Sequence, residues 1–176
     1  TVRLNTALVR LSKEAAGGRA LVAGNLTTTG KALEPVGEMT YGQLYGIYQE
    51  QISALAEAGV DLLAVETMMG VEETAAALDA AQSVCSLAVL CSLSVEADGS
   101  ALFDGGAAEA VATLQEMGAA AVGVNCSVGP DQLEAVTAGM KAVAQVPVIV
   151  KPNAGMPVMT ETGEAVYSMG PEDFAR

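Results

Sequence analysis

The chain has 176 residues, with 21 acidic against 8 basic side chains and a net charge of −13. That charge argues against any partner held through phosphates or anionic lipid, so neither nucleic acid nor a membrane surface is an expected partner. Hydrophobic residues make up 51% of the chain but aromatic residues only 3%, which predicts one domain with an aliphatic core.

The cysteines and the terminal residues indicate the compartment. Cys85, Cys91 and Cys126 are an odd number at irregular spacing, unlike the disulfide framework of a small secreted protein. No segment reaches the roughly 18–20 consecutive apolar residues of a membrane helix. The first residues also lack the basic and apolar regions of a signal peptide. These observations predict a reducing, cytoplasmic setting.

One unit recurs along the chain: an amphipathic helix, a glycine and a short apolar strand. Glycine directly after a helix supplies the left-handed conformation of the cap, and Thr40 is the expected N-cap of the second helix. Helices are predicted over residues 1–16, 41–58, 71–83, 107–117 and 130–144, and strands over 20–23, 60–65, 87–93, 119–124 and 147–150.

This alternation predicts an α/β fold with a parallel sheet and right-handed crossovers. Periodicity alone leaves two architectures open, a flavodoxin-like open sheet and part of an eight-stranded (β/α)₈ barrel. Residues 24–30 lack both the P-loop ending and the dinucleotide glycine spacing, which disfavours nucleotide binding. Residues 96–106 and 156–171 are predicted to be long loops, each following a strand.

Cys126 ends an apolar strand and precedes a proline that opens a helix. In parallel α/β proteins the carboxyl ends of the strands carry the chemistry, so this position favours a functional thiol. The alternative is a buried core residue, because cysteine is among the most buried residue types. Cys85 and Cys91 lie at a helix end and within a strand, and packing roles are expected for both.

Polar residues also end two other predicted strands. Glu66 and Thr67 follow one of them, and Asn153 follows the last strand shortly after Lys151. A carboxylate in this position needs a partner, and either a salt bridge to Lys151 or the ammonium group of a ligand would serve. Asn125 and Asn153 fit ligand contact and turn capping equally well.

Histidine is absent from the chain. This excludes a histidine-based hydrolase triad and any histidine-ligated metal site within these residues. One thiol cannot hold zinc, which needs about three or four ligands. On the residues alone, the prediction stops at a thiol-bearing site on a parallel α/β sheet.

Three segments of the sequence carry motifs that point to one family. The sequence GVNC at 123–126, followed by VGP at 128–130, resembles the first zinc-cysteine motif of the homocysteine S-methyltransferase family. The sequence AGVDLLAVET at 58–67 resembles its "GvD-apolar-ET" strand. KPNAGMP at 151–157 resembles the PNAG-x-P segment of the homocysteine-binding module of cobalamin-dependent methionine synthases.

The resemblance covers the whole chain in order and implies a (β/α)₈ TIM barrel. On that alignment the chain carries about strands 3–7 as a single domain, residues 1–176, with the first two β/α units and the last one missing. The start at Thr1 rather than methionine also suggests a fragment.

The resemblance further implies zinc-dependent methyl transfer to the thiol of homocysteine, giving methionine. Cys126 would be the catalytic metal ligand, together with a cysteine pair that these residues lack. Glu66, Thr67, Asn125 and Asn153 would bind substrate, with Glu66 on the ammonium group. The implied methyl donor is methylcobalamin, carried on another domain or protein.

Two alternatives remain open. A betaine- or S-methylmethionine-dependent methyltransferase would use the same residues with another donor. A non-catalytic α/β module would bind a small amino acid or a partner protein.

Overall fold

The computed structural model describes residues 1–126 and 128–176. Its α-helices are α1 (Val2–Ala16), α2 (Tyr41–Glu57), α3 (Val71–Val84), α4 (Ala107–Glu116), α5 (Glu134–Val143) and α6 (Pro171–Phe174), with a 3₁₀ turn at Pro130–Gln132. Its strands are β1 (Ala23–Leu26), β2 (Leu62–Met68), β3 (Val89–Leu93), β4 (Ala121–Cys126), β5 (Val148–Pro152), β6 (Pro157–Met159) and β7 (Ala165–Tyr167).

Strands β1 to β5 form one parallel sheet whose spatial order is the order in the chain. A flavodoxin-like sheet would instead reverse its strand order at a switch point. The uninterrupted order is that of a barrel wall, so the structure favours part of a TIM barrel over the open-sheet alternative. Strands β1 and β5 are the two edges of this sheet, and no pairing between them is described. The sheet is therefore consistent with part of a barrel.

The core lies between the sheet and the helices and is aliphatic, as the composition predicts. In β2 the buried side chains are Leu63, Val65 and Met68, while Ala64 and Glu66 on the opposite face are half-buried. Alternation of this kind gives each strand one face toward the helices and one toward the concave side. No described helix has both the length and the apolar composition needed to cross a bilayer.

Most predicted elements are confirmed to within a few residues, including Thr40 as the N-cap of α2, where it forms a capping box with Gln43. The first strand is the main shift, since β1 begins where the predicted strand ends. The predicted strand stops before Gly24, but Gly24 lies inside β1. A Cβ there would come within 3.1–3.3 Å of Leu63 and Leu55, so glycine lets α2 pack closely against β1.

Two predictions are wrong in part. The predicted helix 130–144 is a 3₁₀ turn followed by α5, because the chain departs from helical geometry at Leu133 (φ −98°, ψ 0°). The predicted loop 156–171 contains the antiparallel hairpin β6–β7. Gly163, at φ 82°, makes the hairpin turn possible, but the two short strands carry little periodic signal.

A buried carboxylate ties the loop after β1 to the helices. Glu73, in the first turn of α3, is 2% exposed. One of its oxygens accepts from the Thr29 N–H, the Thr29 hydroxyl and the Tyr48 hydroxyl, each at 2.8 Å, and the other accepts from the Thr28 hydroxyl at 2.7 Å. Burial, with the adjacent Glu73 carboxylate, raises the pKa of Tyr48, so its hydroxyl stays a donor in alkaline solution as well as at neutral pH. This cluster holds residues 27–30 against α2 and α3.

Replacing Glu73 with alanine should therefore destabilise the fold. Glu73→Ala removes an acceptor that four donors share, although the Tyr48 hydroxyl still has the Thr27 carbonyl at 3.2 Å, and we expect the free energy of unfolding to fall by about 2–4 kcal/mol. Glu72→Ala, one residue away but exposed, is the matched control and should change it by roughly 0.5 kcal/mol or less. Urea denaturation of both variants measures the difference, and equal losses would contradict the structural role of Glu73.

Candidate active site

The carboxyl edge of the sheet contains an irregularity in β2. Val65 is paired with Cys91, but Met68 is paired with Leu93, so β2 carries one more residue than β3 over this interval. Such a bulge bends a strand and redirects its side chains. Glu66 and Thr67 form the bulge. They therefore lie at the candidate site within β2, and not after the end of the strand.

Backbone strain is concentrated at the same edge. Thr67 has φ 59° and Cys126, the last residue of β4, has φ 60°. Among the described residues these are the non-glycine positions with positive φ. A left-handed conformation is unfavourable for a β-branched residue and costs about 1–3 kcal/mol, so it persists only where the surroundings enforce it. Two such residues at one edge are typical of a functional site.

The Asn125 side chain connects three strands and enforces this geometry. Its Oδ1 accepts from the Thr67 N–H at 2.9 Å and from the Ser92 hydroxyl at 2.6 Å. Its Nδ2 donates to Thr67 Oγ1 at 2.8 Å and to Cys126 Sγ at 3.2 Å. Asn125 is 5% exposed, so these bonds replace water contacts that it cannot make. Asn125 therefore positions both strained residues rather than capping a turn.

Cys126 lies in polar surroundings and is half-buried. Besides the Asn125 amide, its Sγ lies 4.0 Å from Thr67 Oγ1. The other two cysteines differ. Cys91 is fully buried, and burial raises the pKa of its thiol to about 12, while Cys85 at the end of α3 donates to the Ala81 carbonyl. The geometry favours Cys126 as the functional thiol over a purely structural role.

Glu66 has protein partners on both of its oxygens. Asn25 Nδ2 donates to Oε1 at 2.5 Å, and the Lys151 ammonium pairs with Oε2. The salt bridge considered for Glu66 is therefore present. Glu66 and Lys151 lie on β2 and β5, three strand spacings apart, which is about 14 Å on a flat sheet. Their contact shows that the sheet is curved and that both side chains lie on its concave face.

The structure thus brings together Glu66, Thr67, Asn125 and Cys126. Asn153 lies in the turn after β5, where its backbone N–H donates to the Val128 carbonyl at 3.2 Å. Sequence reasoning missed Asn25 and Ser92 as members of the cluster. The period-two alternation of strands was the available signal, because it places Ser92 on the opposite face from the buried Cys91 and Leu93.

Cys126 could serve as one ligand of a metal ion. Its thiol is a soft donor, accessible at the end of a strand, and suits one position of a tetrahedral zinc site. Within residues 1–126 and 128–176, no cluster of three or more Cys, Asp or Glu side chains is arranged to hold an ion. The described side chains could therefore supply one ligand to such an ion but not a complete set.

Loss of the Asn125 amide should release the strained edge. Asn125→Ala removes the acceptor of the buried Ser92 hydroxyl and of the Thr67 N–H, and we expect the free energy of unfolding to fall by about 2–4 kcal/mol. Asn25→Ala is the matched control, an exposed asparagine at the same edge, with an expected loss of about 1 kcal/mol or less. Thermal and urea denaturation provide the comparison. An Asn125→Ala variant as stable as Asn25→Ala would contradict this assignment.

Comparison with solved structures identifies close matches of fold. The homocysteine methyltransferase MmuM from Escherichia coli, in its apo form, superimposes with a TM-score of 0.68 at 22% identity, over 88% of this chain and 62% of that one. Its metallated form gives a TM-score of 0.68 at 21% identity, over 85% and 59%. At this identity the match shows a shared fold.

Sequence comparison gives the family. Methionine synthases from Mycobacterium leprae (strain TN) and Mycobacterium tuberculosis (strain ATCC 25618 / H37Rv) are 28% and 27% identical to the chain in alignments of 151 residues, each of which covers 83% of this chain. The match spans only 12% and 13% of those two relatives. The family model described as homocysteine S-methyltransferase matches residues 1–176. As its three motifs predict, the chain belongs to the homocysteine S-methyltransferase family.

Proposed function

We propose that this chain is the homocysteine-binding part of a zinc-dependent methyltransferase that forms methionine, as in a methionine synthase. The observation that carries the proposal is the linked group at the sheet edge. The Asn125 amide joins the Cys126 thiol to Thr67, and the Glu66 carboxylate stands next to Thr67 in the same bulge. A sulfur-binding group and an ammonium-binding group on one rigid edge match the two ends of homocysteine.

In this proposal Glu66 holds the substrate ammonium, and Thr67, Asn125 and Asn153 contribute further substrate contacts. The substrate thiol loses its proton to solvent, and its sulfur displaces the donor from the methyl group in line. One sulfur–carbon bond forms while the donor–carbon bond breaks, and the donor leaves with the electron pair of that bond. Because Asn125 fixes both Thr67 and Cys126, the sulfur end of the substrate would meet a preorganised surface.

Cys126 would hold zinc together with ligands from outside the described residues. When bound, zinc lowers the pKa of a coordinated thiol, so that the nucleophilic thiolate is present at neutral pH. The Asn125 Nδ2–H donates to the Cys126 sulfur and would orient it toward the ion. The metallated form of the structurally similar MmuM is in keeping with a metal in this fold.

The proposed methyl donor is methylcobalamin on another domain, because the KPNAGMP segment at 151–157 resembles cobalamin-dependent methionine synthases and the two mycobacterial relatives carry that name. In this proposal β1 to β5 correspond to strands 3–7 of the barrel. The free thiols of Cys85, Cys91 and Cys126 suit the reducing cytoplasm that we propose as its location.

Glu66→Gln tests the ammonium site. Losing a charged acceptor should weaken homocysteine binding by roughly 10- to 100-fold, while the zinc content stays unchanged. Titration calorimetry on the zinc-loaded whole protein measures the affinity, and atomic absorption measures the metal. Glu72→Gln, an exposed acid on α3, is the control and should bind as the unmodified protein does. Unchanged affinity in Glu66→Gln would rule out the carboxylate's role.

Cys126→Gly tests the metal ligand and the strain together. We expect the variant to lose zinc because the thiolate is gone. In metal-free protein it should also be about 1 kcal/mol more stable than Cys126→Ala, because glycine accepts φ 60° without the Cβ penalty. Metal analysis and urea denaturation give the two readouts. Full zinc occupancy in either variant would overturn the assignment of Cys126.

A further inference from the structure

We infer that Lys151 is the receptor for the substrate's carboxylate, and that it changes partner when the substrate binds. In the structure its ammonium pairs with Glu66, the carboxylate proposed to take the substrate's ammonium. An amino acid brings both charges, so its ammonium can replace Lys151 on Glu66 while its carboxylate takes the released lysine. This inference rests on the proposed function and adds a specificity-determining residue to it.

The charges around Glu66 favour such an exchange. Asn25 occupies Oε1, and the Lys151 ammonium occupies Oε2. The Lys151 ammonium therefore stands where the ammonium of an amino acid would bind. Two ammonium groups beside the same carboxylate oxygen repel each other, so we expect the lysine to move when the substrate takes Oε2, and its positive charge then needs another anion. The carboxylate on the same carbon as the substrate ammonium is that anion.

The position of Lys151 allows the movement. Its side chain is 54% exposed against 28% for Glu66, so the ammonium has room to turn without opening the core. An exposed ion pair contributes little to stability, and exchanging one partner for another therefore has little cost. Lys151 is paired with Asn125 across β4 and β5, so its backbone stays fixed beside Cys126 while its side chain turns.

The charge of the chain makes a local cation necessary. With 21 acidic and 8 basic residues, the protein repels a free carboxylate. Three other described basic side chains form ion pairs elsewhere. Lys13 pairs with Asp61 near the start of β2, and two arginines form local pairs on helices, Arg10 with Glu14 and Arg176 with Asp173. Lys151 is the cation that the described ion pairs place on the concave face next to Glu66.

Three thiol ligands allow the contributions of the substrate's ammonium and carboxylate groups to be measured separately. Homocysteine carries both, 3-mercaptopropylamine lacks the carboxylate, and 4-mercaptobutanoate lacks the ammonium. Affinities are measured by titration calorimetry on the zinc-loaded whole protein under reducing conditions. The variants are Lys151→Met, Lys151→Arg, which keeps the charge, and Lys141→Met, an exposed lysine on α5 that serves as the matched control.

Lys151→Met should weaken homocysteine and 4-mercaptobutanoate by roughly 10- to 100-fold. The same variant should bind 3-mercaptopropylamine as tightly as the unmodified protein or more tightly, because the competitor for Glu66 is gone. Lys151→Arg should restore most of the affinity for the two carboxylates, and Lys141→Met should change none of the three. This pattern would support the exchange.

Other results would overturn it. If Lys151→Met weakens all three ligands equally, or none of them, Lys151 does not bind the carboxylate, although homocysteine binding and the proposed function still stand. If the unmodified protein binds none of the three thiols, the proposed function fails and the exchange fails with it. Urea denaturation of Lys151→Met shows whether it is folded, and Lys151→Arg repeats the test with the charge kept.

Discussion

The side-chain amide of Asn125 is the interaction on which the candidate site depends. It uses both donor and acceptor atoms to join β2, β3 and β4 at their carboxyl ends. Because the group is buried, each bond would be costly to lose, and the amide has a defined orientation. Its two strained neighbours, Thr67 and Cys126, are held in left-handed conformations that neither would adopt alone. The strained backbone and the hydrogen bonds of Asn125 therefore act together. They fix the Cys126 thiol relative to the bulge in β2.

Curvature brings the second half of the site together. Glu66 and Lys151 are 85 residues apart in the chain and lie on strands that do not pair with each other. On the concave side of a curved sheet, side chains from strands that are not neighbours can meet, whereas a flat sheet would hold them apart. The network of Asn125 and the ion pair of Glu66 are thus complementary. In the proposed function, the first would set a rigid position for sulfur, and the second would offer charges that change partners.

Much of this arrangement could be predicted from the sequence. Apolar runs and glycine stops predicted the five parallel strands, and polar residues at strand ends predicted Glu66, Asn125 and Cys126 as neighbours. The bulge in β2 could not be predicted, because Glu66 and Thr67 continue a strand pattern whose register is set only by pairing with β3. The burial of Glu73 was equally hidden, since a glutamate in the first turn of a helix is ordinarily explained by the helix dipole. Its partners, Thr28 and Tyr48, come from separate segments.

The described strands carry charged groups that suit an amino acid but not a full set of metal ligands, and the way barrel sites are built explains this difference. Each strand end contributes one or two side chains, so a ligand touching few strands can be recognised by part of the wall. The charges that suit an amino acid come from β2 and β5, both within the described sheet. A zinc ion needs about three or four ligands, and no group of three or more such side chains is arranged to hold one among the described residues. In the proposed function, the five strands would therefore orient an amino acid by its charges, while deprotonation of its thiol by a metal would depend on ligands from outside the described residues.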